Sequence, residues 1–277
     1  MKEVFLPNTY SFLAFSVEYT YYLHVYDRGS PLSNLIVTIC MLLFILLCCI
    51  FLLAGLVQGV TGFGAGLVAI PLLCMVIDVK QAVPLCLLNG IMITCYLAYA
   101  LRTYLDHKKI LPLIIGSLPG VALGALSFQL VNPSVLRMFI GLVLISYSSY
   151  ALFARIKPLN PSSTWGYIAG FFAGTITALL STGGPPAIIY TTLTSWTKEE
   201  IKATLTGFFA VNSIVTTIAH VLTGATTSQT LLYFITTVPF VLTGTALGSM
   251  LSGKIPRKAY LRIVYVFLIG MGILMIL

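Results

Sequence analysis

Residues 55–71 read GLVQGVTGFGAGLVAIP, and residues 174–190 read GTITALLSTGGPPAIIY. Each stretch breaks an apolar segment with a turn of glycines and hydroxyl residues, and the two occupy corresponding places in the two halves of the chain. Interrupted apolar segments at matched positions of a membrane chain are typical of a transporter's binding site. The pair therefore predicts a repeated membrane architecture and the place where a solute binds.

The composition places the chain in the lipid bilayer. Of its 277 residues, 58% are hydrophobic and 8% are charged, and the mean hydropathy is +1.02. A soluble domain carries roughly 25% charged residues, whereas apolar runs of about 20 residues can cross a membrane. We therefore predict an all-α polytopic membrane protein. The net charge of +8 lies mostly in short loops, as in other membrane proteins, so no nucleic acid is expected as a partner.

Ten apolar segments follow a hydrophilic N-terminal extension, which we assign to residues 1–34. A Pro- and Ser-rich linker ends near residue 164 and divides the segments into two repeats of five, 35–157 and 165–277. The predicted segments are 35–58, 61–77, 81–101, 110–130, 135–154, 165–180, 183–195, 202–222, 229–251 and 259–277.

The two halves resemble each other along their length. Asn89 matches Asn212, and the sequence ALG recurs at 122–124 and 246–248, with offsets between 119 and 125 for all such matches. Of the 15 Lys and Arg residues, 11 fall on one side if the segments alternate, which predicts that side to be cytoplasmic. The predicted cytoplasmic loops lie near 102–109, 155–164, 196–202 and 252–258.

Equivalent loops of the two halves then face opposite sides, as in inverted repeats. The first two segments of each half must enter and leave on one side. Segments 165–180 and 183–195 are short for full crossings, so a broken or re-entrant helical hairpin is expected there. Segment 35–58 is long enough to cross completely, so the first half could hold either a hairpin or a full crossing.

Both turns have the chemistry of an anion site. A helix that begins inside the membrane presents unpaired N–H groups and the positive end of its dipole, and anions bind such ends without a basic side chain. Glycine allows close approach of a ligand, and proline suits a first helical turn. The predicted substrate-binding residues are Thr61, Gly62, Phe63, Gly64, Ala65 and Gly66, then Ser181, Thr182, Gly183, Gly184 and Pro185, with the amides of Gln58, Asn89 and Asn212.

Structural alternatives exist for these residues. Small residues dominate helix–helix interfaces in membranes, so the glycines could serve close packing. Asn89 and Asn212 could be hydrogen-bond partners between helices. Gln58 has no amide at its matched position, residue 178, which weakens its assignment.

The apolar segments contain no Asp or Glu, because all seven acids lie in the extension or in loops. Intramembrane carboxylates are the usual devices for protons and metal cations, so a cation transporter is not favoured. No motif indicates a catalyst, a metal or a cofactor. His220, near the end of its segment, is expected at the membrane interface rather than in a proton relay. A coupling ion, proton or sodium, stays unassigned.

These motifs resemble the TauE/SafE-type sulfite exporter family, also called the four-toluene-sulfonate uptake (TSUP) permeases. The resemblance covers roughly 52–277 and rests on GxTGFGAGLVAIPLL, on STGGPPAIIYTTL, and on the segments PGVALGAL and LTGTALGSM. It implies a permease for sulfite, sulfonates such as sulfoacetate, or related anions, with binding loops at 62–66 and 182–185. The second loop departs from the glycine-rich pattern of the family by carrying Ser181, Pro185 and Pro186.

Together these features predict a secondary transporter for a small anion, a sulfur oxyanion or organosulfonate, that works by alternating access in the plasma membrane and is not an enzyme. Two alternatives remain open at this point. One is an anion-selective channel of the same fold, and the other is a membrane-embedded enzyme or assembly subunit in sulfur metabolism.

Overall fold

The computed structural model describes residues 31–153, 159–252 and 257–276, and it is all-helical over these ranges, as predicted. The predicted extension falls almost entirely outside the described residues. A short 3-10 helix, Arg102–Tyr104, lies between the third and fourth α-helices. The helices are α1 (Pro31–Thr61), α2 (Ala65–Leu73), α3 (Val79–Ala100), α4 (His107–Leu130), α5 (Pro133–Phe153), α6 (Ser163–Leu180), α7 (Gly184–Thr192), α8 (Lys198–Leu222), α9 (Ser228–Leu251) and α10 (Arg257–Ile276).

Six of these helices are long and apolar enough to cross a membrane, and α10 contributes a shorter apolar stretch, Val264–Ile276. In contrast, α2 and α7 have nine residues each. At 1.5 Å per residue they rise about 14 Å, less than half of the hydrocarbon thickness. The six candidate spans are Thr38–Thr61, Val79–Ala100, His107–Leu130, Pro133–Phe153, Lys198–Leu222 and Ser228–Leu251.

Glycines bring two pairs of helices into backbone contact. A Cβ at Gly120 would overlap the Phe171 carbonyl oxygen, which brings α4 against α6, and a Cβ at Gly244 would overlap the Leu52 carbonyl oxygen, which brings α9 against α1. Small residues allow this close approach in membrane helices. Gly120 and Gly244 therefore serve close helix packing.

The direction of the pairs follows from successive contacts. Gly116 and Gly120 of α4 meet Tyr167 and Phe171 of α6 in the same order, so these helices run parallel. In the same way α1 and α9 run parallel, because Gly244 and Gly248 meet residues 52 and 56 in turn. The two parallel pairs are equivalent, because α1 and α4 of the first half correspond to α6 and α9 of the second half.

Helices α5 and α10 run antiparallel. Gly141 faces Gly272, and Tyr147 meets Tyr265 with the ring centroids 6.0 Å apart. An antiparallel pair formed by the last helix of each half, together with the two parallel pairs, is the pattern that inverted halves would produce. Inverted duplication itself stays a prediction.

Loops from separate parts of the chain meet at one end of the bundle. The four loops predicted to be cytoplasmic contact one another at this end. Lys109 Nζ lies 2.6 Å from Glu200 Oε1, and the Ser195 amide donates to Asn160 Oδ1 at 2.8 Å. Lys202 Nζ donates to Ser252 Oγ at 3.4 Å. At the other end Gln129 Nε2 donates to the Thr223 carbonyl oxygen at 3.3 Å. The loop at 102–109 and its counterpart near residue 223 thus lie at opposite ends.

Candidate functional site

The first broken helix turns sharply after Thr61. Gly62 and Gly64 have φ angles of 88° and 96°, a left-handed conformation that favours glycine. The Thr61 hydroxyl donates to the Val57 carbonyl oxygen at 2.8 Å and accepts the Phe63 amide at 3.2 Å. The three predicted residues Thr61, Gly62 and Phe63 therefore shape the turn.

The N-terminus of α2 lies next to this turn. Gln58 Oε1 accepts the Ala65 amide at 3.1 Å, which satisfies the first of the helix's orphan donors. Among the residues that the structure describes, the amides of Gly66 and Leu67 have no acceptor. Gln58 thus holds the helix start in place, and the next two amides remain available to a ligand.

The second broken helix differs in its donors. Ser181 ends α6 with φ 53° and donates its amide to the Thr177 carbonyl oxygen at 2.8 Å. Pro185 and Pro186 occupy the first turn of α7 and have no N–H to offer. Within the described chain the Gly184 amide has no acceptor. The two prolines therefore remove two of the first three amides of α7 as donors.

A hydroxyl group compensates for the missing amides. Thr182 is buried, with 2% of its surface exposed, and its Oγ1 finds no hydrogen-bond partner in the part of the chain that the structure covers. An unpaired buried hydroxyl is costly unless water or a ligand binds it. Thr182 thus points to a polar occupant.

The two turns contact each other within the helix bundle. A Cβ at Gly66 would overlap the carbonyl oxygen of Ser181, so glycine is required where the loops meet. Beside this contact lies a cavity of about 60 Å³. Eight predicted residues line it, namely Gln58, Gly64, Ala65, Gly66, Ser181, Thr182, Gly183 and Gly184.

The other six predicted residues do not line the cavity. Pro185 faces a separate apolar groove, and Thr61, Gly62 and Phe63 form the first turn without lining the cavity. Asn89 Nδ2 donates to Thr237 Oγ1 at 3.0 Å and so joins α3 to α9. The alternative of an interhelical partner fits Asn89.

Asn212 does not line the cavity, but it contacts a residue that does. Its Nδ2 donates at 2.9 Å to the hydroxyl of Thr177, which does line the cavity, and its Oδ1 has no partner among the described residues. Asn212 therefore joins α8 to α6 and orients a lining hydroxyl.

Sequence reasoning missed the ten other lining residues, among them Gly90, Thr177 and Ser213. Gly90 and Ser213 directly follow the matched residues Asn89 and Asn212. A Cβ at Gly90 would lie 3.7 Å from Ser213 Oγ, so the two positions are neighbours in the cavity wall. The repeated asparagines in the sequence mark this region, but the residues that line the cavity are the ones that follow them.

Lys202 was also missed as a neighbour of the first turn. Its aliphatic stem lies against Gly62, and its Nζ donates to the Gly59 carbonyl oxygen at 3.3 Å. Ser252 Oγ donates to the Val60 carbonyl oxygen at 2.9 Å. These donors satisfy the C-terminal carbonyls of α1. Lys202 does not line the cavity, and none of the described lining residues carries a formal charge.

The interface position expected for His220 is wrong. Its side chain is fully buried, its Nε2 lies 2.8 Å from the Ala178 carbonyl oxygen, and its ring packs on Phe128 with centroids 4.8 Å apart. The polar face of α8 carries this side chain toward α6 instead of toward the headgroups.

Broken helices that meet around a cavity inside a polytopic helical bundle are typical of membrane transporters. The chain belongs to the sulfite exporter TauE/SafE family, whose model matches residues 47–275, and the resemblance drawn from the motifs is confirmed. This is a family of transporters.

Two relatives are similar to the chain. One is the "Probable sulfite/organosulfonate exporter TauE" of Cupriavidus necator, 27% identical over 225 residues, which cover 78% of this chain and 86% of that protein. The other is the "Probable membrane transporter protein YunE" of Bacillus subtilis, 26% identical over 264 residues, which cover 83% and 96%. No solved structure matches the chain significantly.

Proposed function

We propose that this protein is a secondary transporter for a small anion, a sulfur oxyanion such as sulfite or a small organosulfonate, and that the cavity between the two broken helices is its binding site. It carries its solute across the plasma membrane chemically unchanged. The family and the name of the Cupriavidus relative support the substrate class.

One observation carries the proposal. Gly66, Leu67 and Thr182 line one cavity, and the two amides and the Thr182 hydroxyl have no acceptor or partner among the described residues. Donors at a helix N-terminus favour a negative occupant. No described charge of the cavity wall competes with the anion or neutralises it permanently, so the anion is held by neutral donors and can leave again.

The size of the cavity favours a compact oxyanion. A volume of about 60 Å³ corresponds to roughly four water-sized probes. Sulfite has four heavy atoms, whereas sulfoacetate has more and requires the cavity to widen. We therefore propose sulfite-sized anions as the solutes that fit this conformation.

Alternating access fits the arrangement of the helices. The two turns approach the cavity from the two halves, and each is carried by a short helix that contacts its long neighbour. We propose that the halves are inverted repeats and that the end holding Lys109, Lys202 and Ser252 is cytoplasmic. Rocking of one half against the other would open the cavity to each side in turn.

Counterflow in proteoliposomes tests the function. Vesicles loaded with unlabelled sulfite are expected to take up [35S]sulfite faster than empty vesicles, with saturation, and the label should be recovered as sulfite. Flux without stimulation by internal sulfite indicates a channel, and a changed chemical form indicates an enzyme. Absence of flux for sulfite and for a panel of small sulfonates would contradict the proposal.

A further inference from the structure

We propose that His220 binds the proton that couples to anion binding in the cavity. The inference rests on the proposed function, because it assigns the coupling ion of the same site. Its basis is the position of one buried imidazole at the end of a polar path that starts at the cavity wall.

The environment of His220 leaves one ring nitrogen open to a proton. Nε2 lies 2.8 Å from the Ala178 carbonyl oxygen, which can only accept, so the neutral ring carries its hydrogen on Nε2. Nδ1 then holds a lone pair, and it has no partner in the described ranges. A proton that arrives adds to this lone pair, and the hydrogen bond from Nε2 to Ala178 stays intact.

The end of α6 stabilises the charged ring. Ala178 is one of the last four residues of α6, whose carbonyls form the negative end of the helix dipole. A charged N–H donor bonds more strongly to a carbonyl than a neutral one. Three residues later Ser181 begins the turn that lines the cavity, so the added charge lies beside the second binding loop.

A polar face of α8 connects His220 with the cavity. Ser213 lines the cavity, and Thr216, Thr217 and His220 follow at helical spacing on the same face. The hydroxyls of Thr216 and Thr217 are buried and lack partners among the residues described. A buried hydroxyl without a partner is stabilised when a water molecule enters beside it, and water bound between these hydroxyls would conduct a proton along this face.

The coupling can be sized from the geometry. Ser213 and His220 are seven residues apart, which is about 10 Å along the helix. At an effective dielectric constant near 20, opposite unit charges at about 10 Å attract strongly enough to change an affinity roughly tenfold. The effect is reciprocal, because the bound anion raises the affinity of His220 for its proton by the same factor.

Few other charges face His220. From α3, the Lys80 ammonium lies 4.8 Å from the centroid of the same Phe128 ring and is bound by the Phe128 and Gln129 carbonyls, next to the capping residue Asp78. Cys86 of α3 lines the cavity. The titratable groups of α4, α6 and α7 lie nearer the other end of the bundle: His107, Lys108 and Lys109, then Tyr167 and Tyr190.

The first test measures flux with methanesulfonate, an anion that takes up no proton near neutral pH. Wild-type vesicles should show counterflow and should accumulate methanesulfonate by about tenfold for each unit of pH gradient, as one proton per anion requires. In the His220→Gln variant, accumulation of methanesulfonate should not depend on the pH gradient. The matched variant His107→Gln, at the exposed first residue of α4, should behave like the wild type.

The outcomes separate the two proposals. Absence of wild-type counterflow for methanesulfonate and for sulfite overturns the proposed function. If the wild type shows counterflow but its accumulation of methanesulfonate does not depend on the pH gradient, the proton site alone is overturned. Gradient-driven accumulation by the His220→Gln variant overturns it as well.

A second test does not depend on flux. The chain has three histidines, so the 15N signals of labelled imidazoles can be assigned by the two variants. The His220 signal should change from the Nε2–H neutral form to the imidazolium between about pH 8 and pH 5, with a midpoint about one pH unit higher when methanesulfonate is bound. A neutral His220 throughout this range, or a midpoint that ignores the anion, would overturn the inference.

Discussion

Gly64 and Gly66 stand two residues apart and have different tasks. Gly64 has a φ of 96°, and a Cβ there would have Leu67 as its nearest neighbour at 3.9 Å, so the residue faces open space. Gly66 instead touches the backbone of Ser181. One glycine provides a conformation and access to the cavity, and the other provides contact between the loops.

Adding a methyl group at Gly90 should slow transport without lowering the thermal stability of the protein. Gly90→Ala removes a flexible residue from α3, which is worth up to about 1 kcal/mol of helix stability, and its Cβ enters the cavity wall without overlap. We expect an equal or higher melting temperature and a rate of sulfite counterflow reduced at least several-fold.

The control for this variant is Gly270→Ala. Gly270 lies in α10 with open space around its Cβ position, so the same helix effect should appear without a loss of transport. Normal transport by Gly90→Ala would mean that the cavity is not on the transport path.

Removing the Thr182 hydroxyl should weaken anion binding. Thr182→Val keeps the shape and deletes an oxygen that has no partner among the described residues. A hydrogen bond to a charged group contributes about 1.5–3 kcal/mol, so the KM for sulfite should rise roughly tenfold to a hundredfold, with unchanged or higher thermal stability.

Thr204→Val is the matched change, because Thr204 is fully buried, also lacks a partner in the described chain, and does not line the cavity. Its KM should stay at the wild-type value. A similar rise in both variants would show a general effect of hydroxyl loss instead of a binding contact.

At the scale of helices, glycines at equivalent places of the two halves make equivalent contacts. Gly124 packs against Thr175 and Ala178 of α6, and Gly248 packs against Leu56 and Gly59 of α1. These are the glycines of the repeated ALG sequence. The repeat in the sequence therefore records a packing requirement, and the requirement is the same in both halves.

Alanine at either close contact should destabilise the bundle. Gly120→Ala and Gly244→Ala each place a Cβ on a backbone carbonyl oxygen of the partner helix. Overpacking of this kind costs about 1–3 kcal/mol, which exceeds the gain in helix propensity. Both variants should melt below the wild type in detergent, whereas Gly270→Ala should not. An unchanged melting temperature for Gly120→Ala would contradict the parallel pairing of α4 with α6.

For the molecule as a whole, the inverted arrangement makes a prediction about sidedness. Thr103, beside the basic loop, and Ser228, at the start of α9, are both exposed and occupy loops that are equivalent in the two halves. Single cysteines at these positions, in a background without the six natural cysteines, should react with impermeant maleimide from opposite sides of the membrane. Labelling from the same side would refute the inverted topology.

The class of the protein and the order of its elements follow from the sequence. Segment length and hydropathy predicted the ten α-helices of the described residues, and Gly, Ser and Pro predicted the two breaks near residues 62 and 183. Both signals are local along the chain. The matched motifs were sufficient for the family. The same local signals identified eight of the residues that line the cavity.

Tertiary packing decided which way the side chains face. Each step along a helix turns a side chain by about 100°, so Asn89 and Gly90 point to different neighbours, and only the position of α8 assigns Gly90 to the cavity. For the same reason, the burial of His220 and the approach of Lys202 to Gly62 depend on helices that are far apart in sequence. Local composition sets where a helix begins and breaks, whereas the partner helix sets which of its faces becomes the site.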